Sequence, residues 1–228
     1  MPFDLEESSS SGYDDDRHPN VIQFLQAVNS GGLEAVKLAL QQMYEKDVGI
    51  DLESFKEAIS KAVKNSDVKI VSFLVSLKVD FGFMDDGFDL NTSTSTEFNP
   101  EKAIVRYAMQ EAIKHNKDSV IVMLLKEKGA DLSTTCEDRS FEAGKKGVVF
   151  VAIAEKSQNL VNAIVEIASK KELQELSADL IKTRDDSVTG IPAKNFIKSF
   201  LEKITQKLVP SDSPENPEAT LKSKSHII

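Results

Sequence analysis

A single cysteine, Cys136, occurs among the 228 residues of the chain. One thiol cannot form an internal disulfide, and unpaired thiols are typical of a reducing compartment. No apolar run approaches the roughly eighteen residues that a membrane-spanning helix needs. Residues 1–17 are acidic and serine-rich, whereas a secretory signal is basic and then apolar. We therefore expect an intracellular, cytoplasmic site of action and no membrane span.

The chain also lacks an excess of basic charge. Its formal net charge is -9 and its isoelectric point is near 5.0. Nucleic-acid-binding domains usually carry a basic face, so we expect no nucleic-acid partner. Much of the acidity lies in residues 1–17, where six carboxylates stand against Arg17.

Recognisable catalytic motifs are missing. His115 follows Glu111 by four residues and precedes Asp118 by three, a helical spacing that can orient an imidazole. Its place in a polar turn between two predicted helices favours a structural surface role. Cys136 lies in a polar stretch without a recognisable base or oxyanion site. We predict no catalytic residue; the alternative is an enzyme whose site is assembled from His115, Glu111 and Cys136.

Ligand-binding motifs are equally scarce. The glycines stand where turns or linkers are expected, so none indicates a phosphate-binding loop. An acidic stretch with Asp85, Asp86, Asp89 and Asn91 lacks the ligand spacing of an EF-hand. We expect no metal and no cofactor. The basic pair Lys145 and Lys146 is predicted to be a solvated helix edge.

A fourteen-residue frame recurs four times, and it opens on Ala27, Ala62, Ala112 and Ala152. An apolar residue follows each alanine, then a polar stretch, then five apolar positions. Those positions are Ala35, Val36, Leu38, Ala39 and Leu40; Ile70, Val71, Phe73, Leu74 and Val75; Val120, Ile121, Met123, Leu124 and Leu125; and Leu160, Val161, Ala163, Ile164 and Val165. This periodicity predicts two helices around each polar turn, in a stacked helical-repeat protein.

Local signals mark where helices begin and end. Pro19 suits the first turn of a helix, and the pair Gly31 and Gly32 should end that helix. Ser54 with Glu57 three residues later suggests a capping box. Asn99 before Pro100 predicts another helix start.

The segment from Ala112 to Leu132, AIKHNKDSVIVMLLKEKGADL, resembles the second half of an ankyrin repeat, and the frame from Ala27 to Leu40 is similar. The resemblance implies antiparallel helix pairs joined by projecting hairpin loops, which bind proteins together with the adjoining concave helical face. Ser66, Asn116 and Lys156 stand where the family has its turn glycine. An irregular α-solenoid of another repeat type is the structural alternative.

The predicted fold class is therefore all-α, a solenoid of about four divergent ankyrin-like helix pairs with a helical C-terminal cap. The predicted segments are a disordered acidic arm over 1–18, the repeat domain over 19–169, the cap over 170–209 and a flexible tail over 210–228. Helices from Glu172 to Lys182 and from Ala193 to Leu208 should form the cap. The tail is similar in composition to the C-terminal export signals of type IV secreted bacterial effectors.

Two connections are long enough to be functional loops, Phe81 to Phe98 and Thr134 to Gly147. We expect their bases to lie on one side of the stack and to frame a groove. The predicted partner-binding residues are Phe83 and Phe88 as apolar anchors, with Asp85, Asp86 and Asp89 steering a basic partner. The alternative is that the phenylalanines cover the core. The predicted function is a non-catalytic protein–protein interaction module, with a secreted effector acting on a host protein as one version of it.

Overall fold

The computed structural model describes residues 17–78, 100–137, 145–185 and 190–209. The chain divides into two units, Met1–Ala163 and Ile164–Ile228. Within the described ranges the chain is mostly helical, as the predicted all-α class requires. In chain order the elements are α1 (Pro19–Ser30), α2 (Leu33–Glu45), α3 (Leu52–Lys64), α4 (Val68–Leu74), α5 (Pro100–Lys114), α6 (Asp118–Lys128), β1 (Thr135–Glu137), β2 (Lys145–Gly147), α7 (Val148–Ala154), α8 (Gln158–Ile167), α9 (Lys170–Asp185) and α10 (Ile191–Leu208).

The helix α1 begins where the sequence predicts. Pro19 occupies its first turn, and Nδ1 of His18 accepts a hydrogen bond of 3.2 Å from the N–H of Asn20. His18 therefore caps this helix, whereas the sequence placed it in the N-terminal arm. Val21, Phe24, Leu25 and Val28 form the buried face of α1.

The turn within each frame has one recurring backbone conformation. The residue four positions after each frame alanine is left-handed: φ is 78° at Gly31, 58° at Ser66, 54° at Asn116 and 50° at Lys156. In the last three turns the next N–H donates to the carbonyl of the frame alanine. These bonds are Asp67 to Ala62 at 3.0 Å, Lys117 to Ala112 at 2.9 Å and Ser157 to Ala152 at 3.0 Å. They close Schellman motifs, and three of the four turns do so without the glycine that this conformation favours.

Within the first unit, successive frames pack helix against helix. The first helices contact in the order α1, α3, α5, and the second helices in the order α2, α4, α6. Val36, Val71, Ile121 and Val161 occupy one frame position and are all fully buried. The register therefore identifies the core correctly at this position.

The first and second frames depart from the predicted core. Ala35 is exposed and Leu38 is 56% exposed, while Ile70, Val120 and Leu160, which match Ala35 in the register, are fully buried. The contacts among second helices explain the difference, because α2 packs against α4 and no helix precedes it in that series among the described residues. Phe73, at one of the apolar frame positions expected in the core, is only partly buried.

The start of α3 differs from the predicted capping box. Oδ1 of Asp51 accepts from the N–H of Ser54 at 2.7 Å, and Oδ2 accepts from the hydroxyl of Ser54 at 2.6 Å. Asp51 is therefore the N-cap, and Ser54 lies buried inside the first turn. An aspartate satisfies the free N–H groups of a helix start as well as a serine does.

The predicted loop from Thr134 to Gly147 contains a short antiparallel hairpin, in which Cys136 pairs with Lys146. Lys146 is buried, donates through Nζ to the carbonyl of Lys114 at 3.3 Å and lies 5.7 Å from the ring centre of Phe150. The prediction of a solvated helix edge is wrong for Lys146, because β2 turns this side chain onto α5. The ammonium group retains a hydrogen bond and an aromatic face.

In the second unit, α9 and α10 pack against each other. α10 buries Phe196, Ile197, Phe200 and Ile204, and α9 buries Leu173 and Leu180. Both helices were predicted, and each begins two residues earlier than expected. The apolar stripe of α10 is thus largely covered within its own unit. Across the described ranges, no helix combines the length and the apolar character that crossing a membrane requires.

Candidate functional site

A groove of about 490 Å³ runs along the polar face of α3 in the first unit. Arg17, α3 with its N-cap and α5 form the walls. The contacts of α1 with α3 and of α3 with α5 bring these segments side by side. The lining residues are Arg17, Asp51, Glu53, Ser54, Lys56, Glu57, Ser60, Lys61, Lys64 and Tyr107.

Ion pairs arrange the rim of this groove. Glu57 accepts hydrogen bonds from Lys61, whose Nζ is 2.7 Å from Oε1, and from Arg17. The bonds from Lys61 and Arg17 hold the pKa of Glu57 below its usual value, against the opposing effect of partial burial. Glu53 pairs with Lys56 at 2.8 Å. Exposed pairs contribute at most about 1 kcal/mol each, so they position side chains more than they stabilise the fold.

Below the groove, Glu111 is a buried carboxylate that links two helices. Its side chain accepts from the hydroxyl of Ser60 at 2.6 Å and from Nζ of Lys114 at 3.3 Å, and the residue is 8% exposed. Burial alone would raise the pKa of Glu111. The hydrogen bond from Ser60 and the charge of Lys114 outweigh burial and lower the pKa of Glu111. The carboxylate is therefore ionised and satisfied.

His115 faces the same carboxylate without bonding to it. Its Nε2 is 3.6 Å from Oε2 of Glu111, beyond hydrogen-bonding distance. This nitrogen is buried and has no hydrogen-bond partner within the described residues. Burial lowers the pKa of His115, and Lys64, Lys114 and Lys117 lower it further, against the charge of Glu111. The side chain of His115 is 27% exposed, so it lies only partly at the surface predicted for it, and its Nε2 is shielded from solvent.

Tyr107 projects from α5 into the groove. Burial raises the pKa of Tyr107 to about 12, and the charges of Glu111 and Glu53 add to this shift. The phenol therefore remains protonated at physiological pH and can donate a hydrogen bond.

The geometry does not assemble a nucleophile and its base from the described residues. Ser60 donates to Glu111 and has no described contact with His115. Asp118 accepts from the hydroxyl of Ser157 at 2.9 Å instead of orienting His115. Cys136 is on β1 and is 8% exposed. Of the residues weighed for catalysis, the structure thus brings Glu111 and His115 together and gives Asp118 another partner.

The predicted partner-binding residues lie elsewhere in the chain. Phe83, Asp85, Asp86, Phe88 and Asp89 are all outside the described residues, as is the whole insertion from Phe81 to Phe98. In the four described ranges, no group of three or more His, Cys, Asp or Glu side chains is placed to hold a metal ion.

Comparisons with protein-family models, with curated proteins and with solved structures find no match. The likeness to ankyrin repeats rests on the sequence frame and on the residues quoted for it.

Sequence reasoning missed Arg17, Ser60 and Tyr107 as members of one site. A signal was present, because Glu57 and Tyr107 both stand five residues before a frame alanine. If successive frames pack side by side, equal offsets bring residues of neighbouring helices together.

Proposed function

We propose that this chain is a non-catalytic protein-recognition module, and that its helix pairs stack as divergent ankyrin-like repeats. The recurring left-handed turn supports this repeat architecture, since four frames with different turn residues share one conformation. The ordered contacts of α1, α3 and α5 and of α2, α4 and α6 support it too. The hairpin of β1 and β2 lies in a connection between two pairs, the place where such repeats project their loops.

The groove along α3 carries the proposal of recognition. Tyr107 offers an aromatic surface with a polar tip, a residue type that often dominates binding energy at interfaces. Ion pairs hold the flanking side chains in place before a partner arrives, so less side-chain entropy is lost on binding. The residues proposed from the sequence, with Phe83 and Phe88 as anchors, remain part of the proposed partner-binding surface.

Affinity capture with the full-length chain tests the function. A stoichiometric protein partner should be retained by the parent chain and lost when groove and insertion are both altered. If no protein is retained in stoichiometric amount from the cells in which the chain acts, protein recognition fails as its function.

The rival function is an enzyme with a site built on the helical scaffold from His115, Glu111 and Cys136. The observation that favours it is the buried imidazole edge of His115 beside an ionised carboxylate. Alanine at His115 and at Cys136 should then abolish the cellular activity. Full activity in both variants would remove this rival.

The proposed site of action is the interior of a cell, and one version is a secreted bacterial effector that acts on a host protein. Its support is the composition of residues 210–228, which lie outside the described residues. A reporter attached to the full-length chain should enter host cells, and removal of residues 210–228 should stop its entry. Equal entry of both forms would exclude a C-terminal export signal.

A further inference from the structure

The hydrogen-bonding capacity of the groove is unevenly used. All three lining carboxylates already accept hydrogen bonds: Asp51 from Ser54, Glu53 from Lys56, and Glu57 from Arg17 and Lys61. The carboxylate below the groove, Glu111, accepts from Ser60 and Lys114. Each carboxylate of the groove is thus already held by a donor of the chain itself.

Donors remain available on the same surface. Lys64 lines the groove at the end of α3, its side chain is exposed, and no described residue bonds to its ammonium group. The hydroxyl of Tyr107 also makes no hydrogen bond to any residue of the described ranges. The groove thus offers one cation and one neutral donor that have no described hydrogen-bond partner. Its lining contains four cationic side chains and three carboxylates.

Nearby charges strengthen this preference. Lys64, Lys114 and Lys117 lie close enough to His115 to act on its imidazole. Of these, Lys117 also has no hydrogen-bond or ion-pair partner among the described side chains. Glu111 offsets one of these charges through its ion pair with Lys114, so Lys64 and Lys117 remain as the cations near the α5–α6 turn.

We propose that the groove along α3 binds an acidic peptide segment of a partner protein, with a carboxylate of the segment accepting from Lys64 and a second, neutral acceptor of the segment accepting from the hydroxyl of Tyr107. Charge complementarity and the unused donors select an anionic, acceptor-rich segment. The volume of about 490 Å³ lies within the range of sites that hold a small ligand or a few side chains. This inference rests on the proposed function and specifies the partner's chemistry.

Fluorescence anisotropy with the full-length chain tests it. The probe is a labelled peptide with four consecutive glutamates between glycines, and the matched probe carries four glutamines. The glutamate peptide should bind at low salt, weaken as salt rises, and exceed the glutamine peptide by about tenfold or more. Equal binding of the two peptides would overturn the proposal.

Two variants locate the binding. Lys64→Gln should weaken binding about threefold to fivefold, as expected for a partly solvated ion pair. Tyr107→Phe, which removes only the hydroxyl, should weaken it by about twofold to tenfold. Lys69→Gln is the matched control, because Lys69 is an exposed lysine of α4 outside the groove. Melting temperatures of all three should match the parent, so that loss of binding is not loss of fold.

The outcomes separate this inference from the function on which it rests. If Lys69→Gln weakens binding as much as Lys64→Gln, the attraction is general and the groove is not the site. If a captured protein partner is retained undiminished by the Lys64→Gln and Tyr107→Phe double variant, protein recognition stands and the acidic-peptide groove fails.

Discussion

The hydroxyl of Ser60 donates to the carboxylate of Glu111 across 2.6 Å, and this bond joins α3 to α5 beneath the groove. Removal of the donor leaves a buried charge with one partner fewer. Ser60→Ala should lower the free energy of unfolding by about 1–3 kcal/mol. Denaturant unfolding at pH 7 measures the change.

The control for this variant is Ser72→Ala on α4, whose hydroxyl forms no hydrogen bond in the described ranges; it should change stability by less than about 0.5 kcal/mol. Acid titration adds a second check. The pKa of Glu111 in the folded chain is below the ordinary glutamate value of 4.5, so its contribution to stability is present above that pH and is lost as pH falls. In Ser60→Ala the stability lost on acidification should therefore be smaller than in the parent. If the two chains lose the same free energy of unfolding as pH falls, the bond from Ser60 does not lower the pKa of Glu111.

His115 should make stability depend on pH on the mildly acidic side. Its folded pKa is lowered from 6.5, so the unfolded chain binds the proton more readily. Stability is then complete above about pH 6.5 and declines as pH falls towards the folded pKa. His115→Gln should flatten the dependence of the melting temperature on pH in this window. A variant as sensitive as the parent would show that another group titrates there.

Lys156 occupies a backbone conformation that favours glycine, with φ of 50°. Lys156→Gly should raise the free energy of unfolding by about 0.5–1 kcal/mol. Glycine removes the strain of the left-handed conformation, and this gain exceeds the cost of the greater entropy of glycine in the unfolded chain. Lys37→Gly, on the exposed face of α2, is the same substitution in a helix and should lower stability by about 1 kcal/mol. A loss in both variants would mean that the turn at Lys156 is not left-handed.

Leu124 and Leu38 occupy apolar positions of the frame that differ in burial, so together they test the assigned core. Leu124 is fully buried, whereas Leu38 is 56% exposed. Leu124→Ala should cost about 2–5 kcal/mol of unfolding free energy through lost packing, and Leu38→Ala should cost less than about 1 kcal/mol. Equal denaturant midpoints for the two variants would refute the assigned core.

The sequence-based site has its own test at Phe83 and Phe88. If these rings bind a partner, replacing both by serine should abolish capture without a change in melting temperature. If they cover the core, the same variant should melt at a markedly lower temperature, because burial of each ring stabilises the fold by about 1.5–3 kcal/mol.

The helices were predictable because apolar spacing marks a buried face wherever a helix is long enough to show it. Phe24, Val36 and Leu124 follow from this periodicity alone. The bond between Ser60 and Glu111 does not, since it depends on which helices become neighbours. The burial of Lys146 was missed for a similar reason: a strand of three residues has too little alternation to be distinguished from a loop.

The cap of α3 shows a different limit. Ser54 and Glu57 have the spacing of a capping box, but Asp51 three residues earlier offers an equally good acceptor. Local signals of similar strength compete; in the structure Asp51 is the cap, and Phe55 in the turn that follows is buried in the core. The groove was missed as a whole because its ten residues come from three separated segments.

The shared left-handed turn also bears on how such a chain changes length over evolutionary time. Each pair turns through a left-handed residue at the same frame position, whether that residue is Gly31, Ser66, Asn116 or Lys156. Duplication or loss of a segment that runs from one such turn to the next would therefore keep the same backbone conformation at both of its ends. A segment cut at two positions that are not equivalent in the frame would shift the apolar face of the helix that follows, so the repeated turn marks where such exchanges disturb the core least.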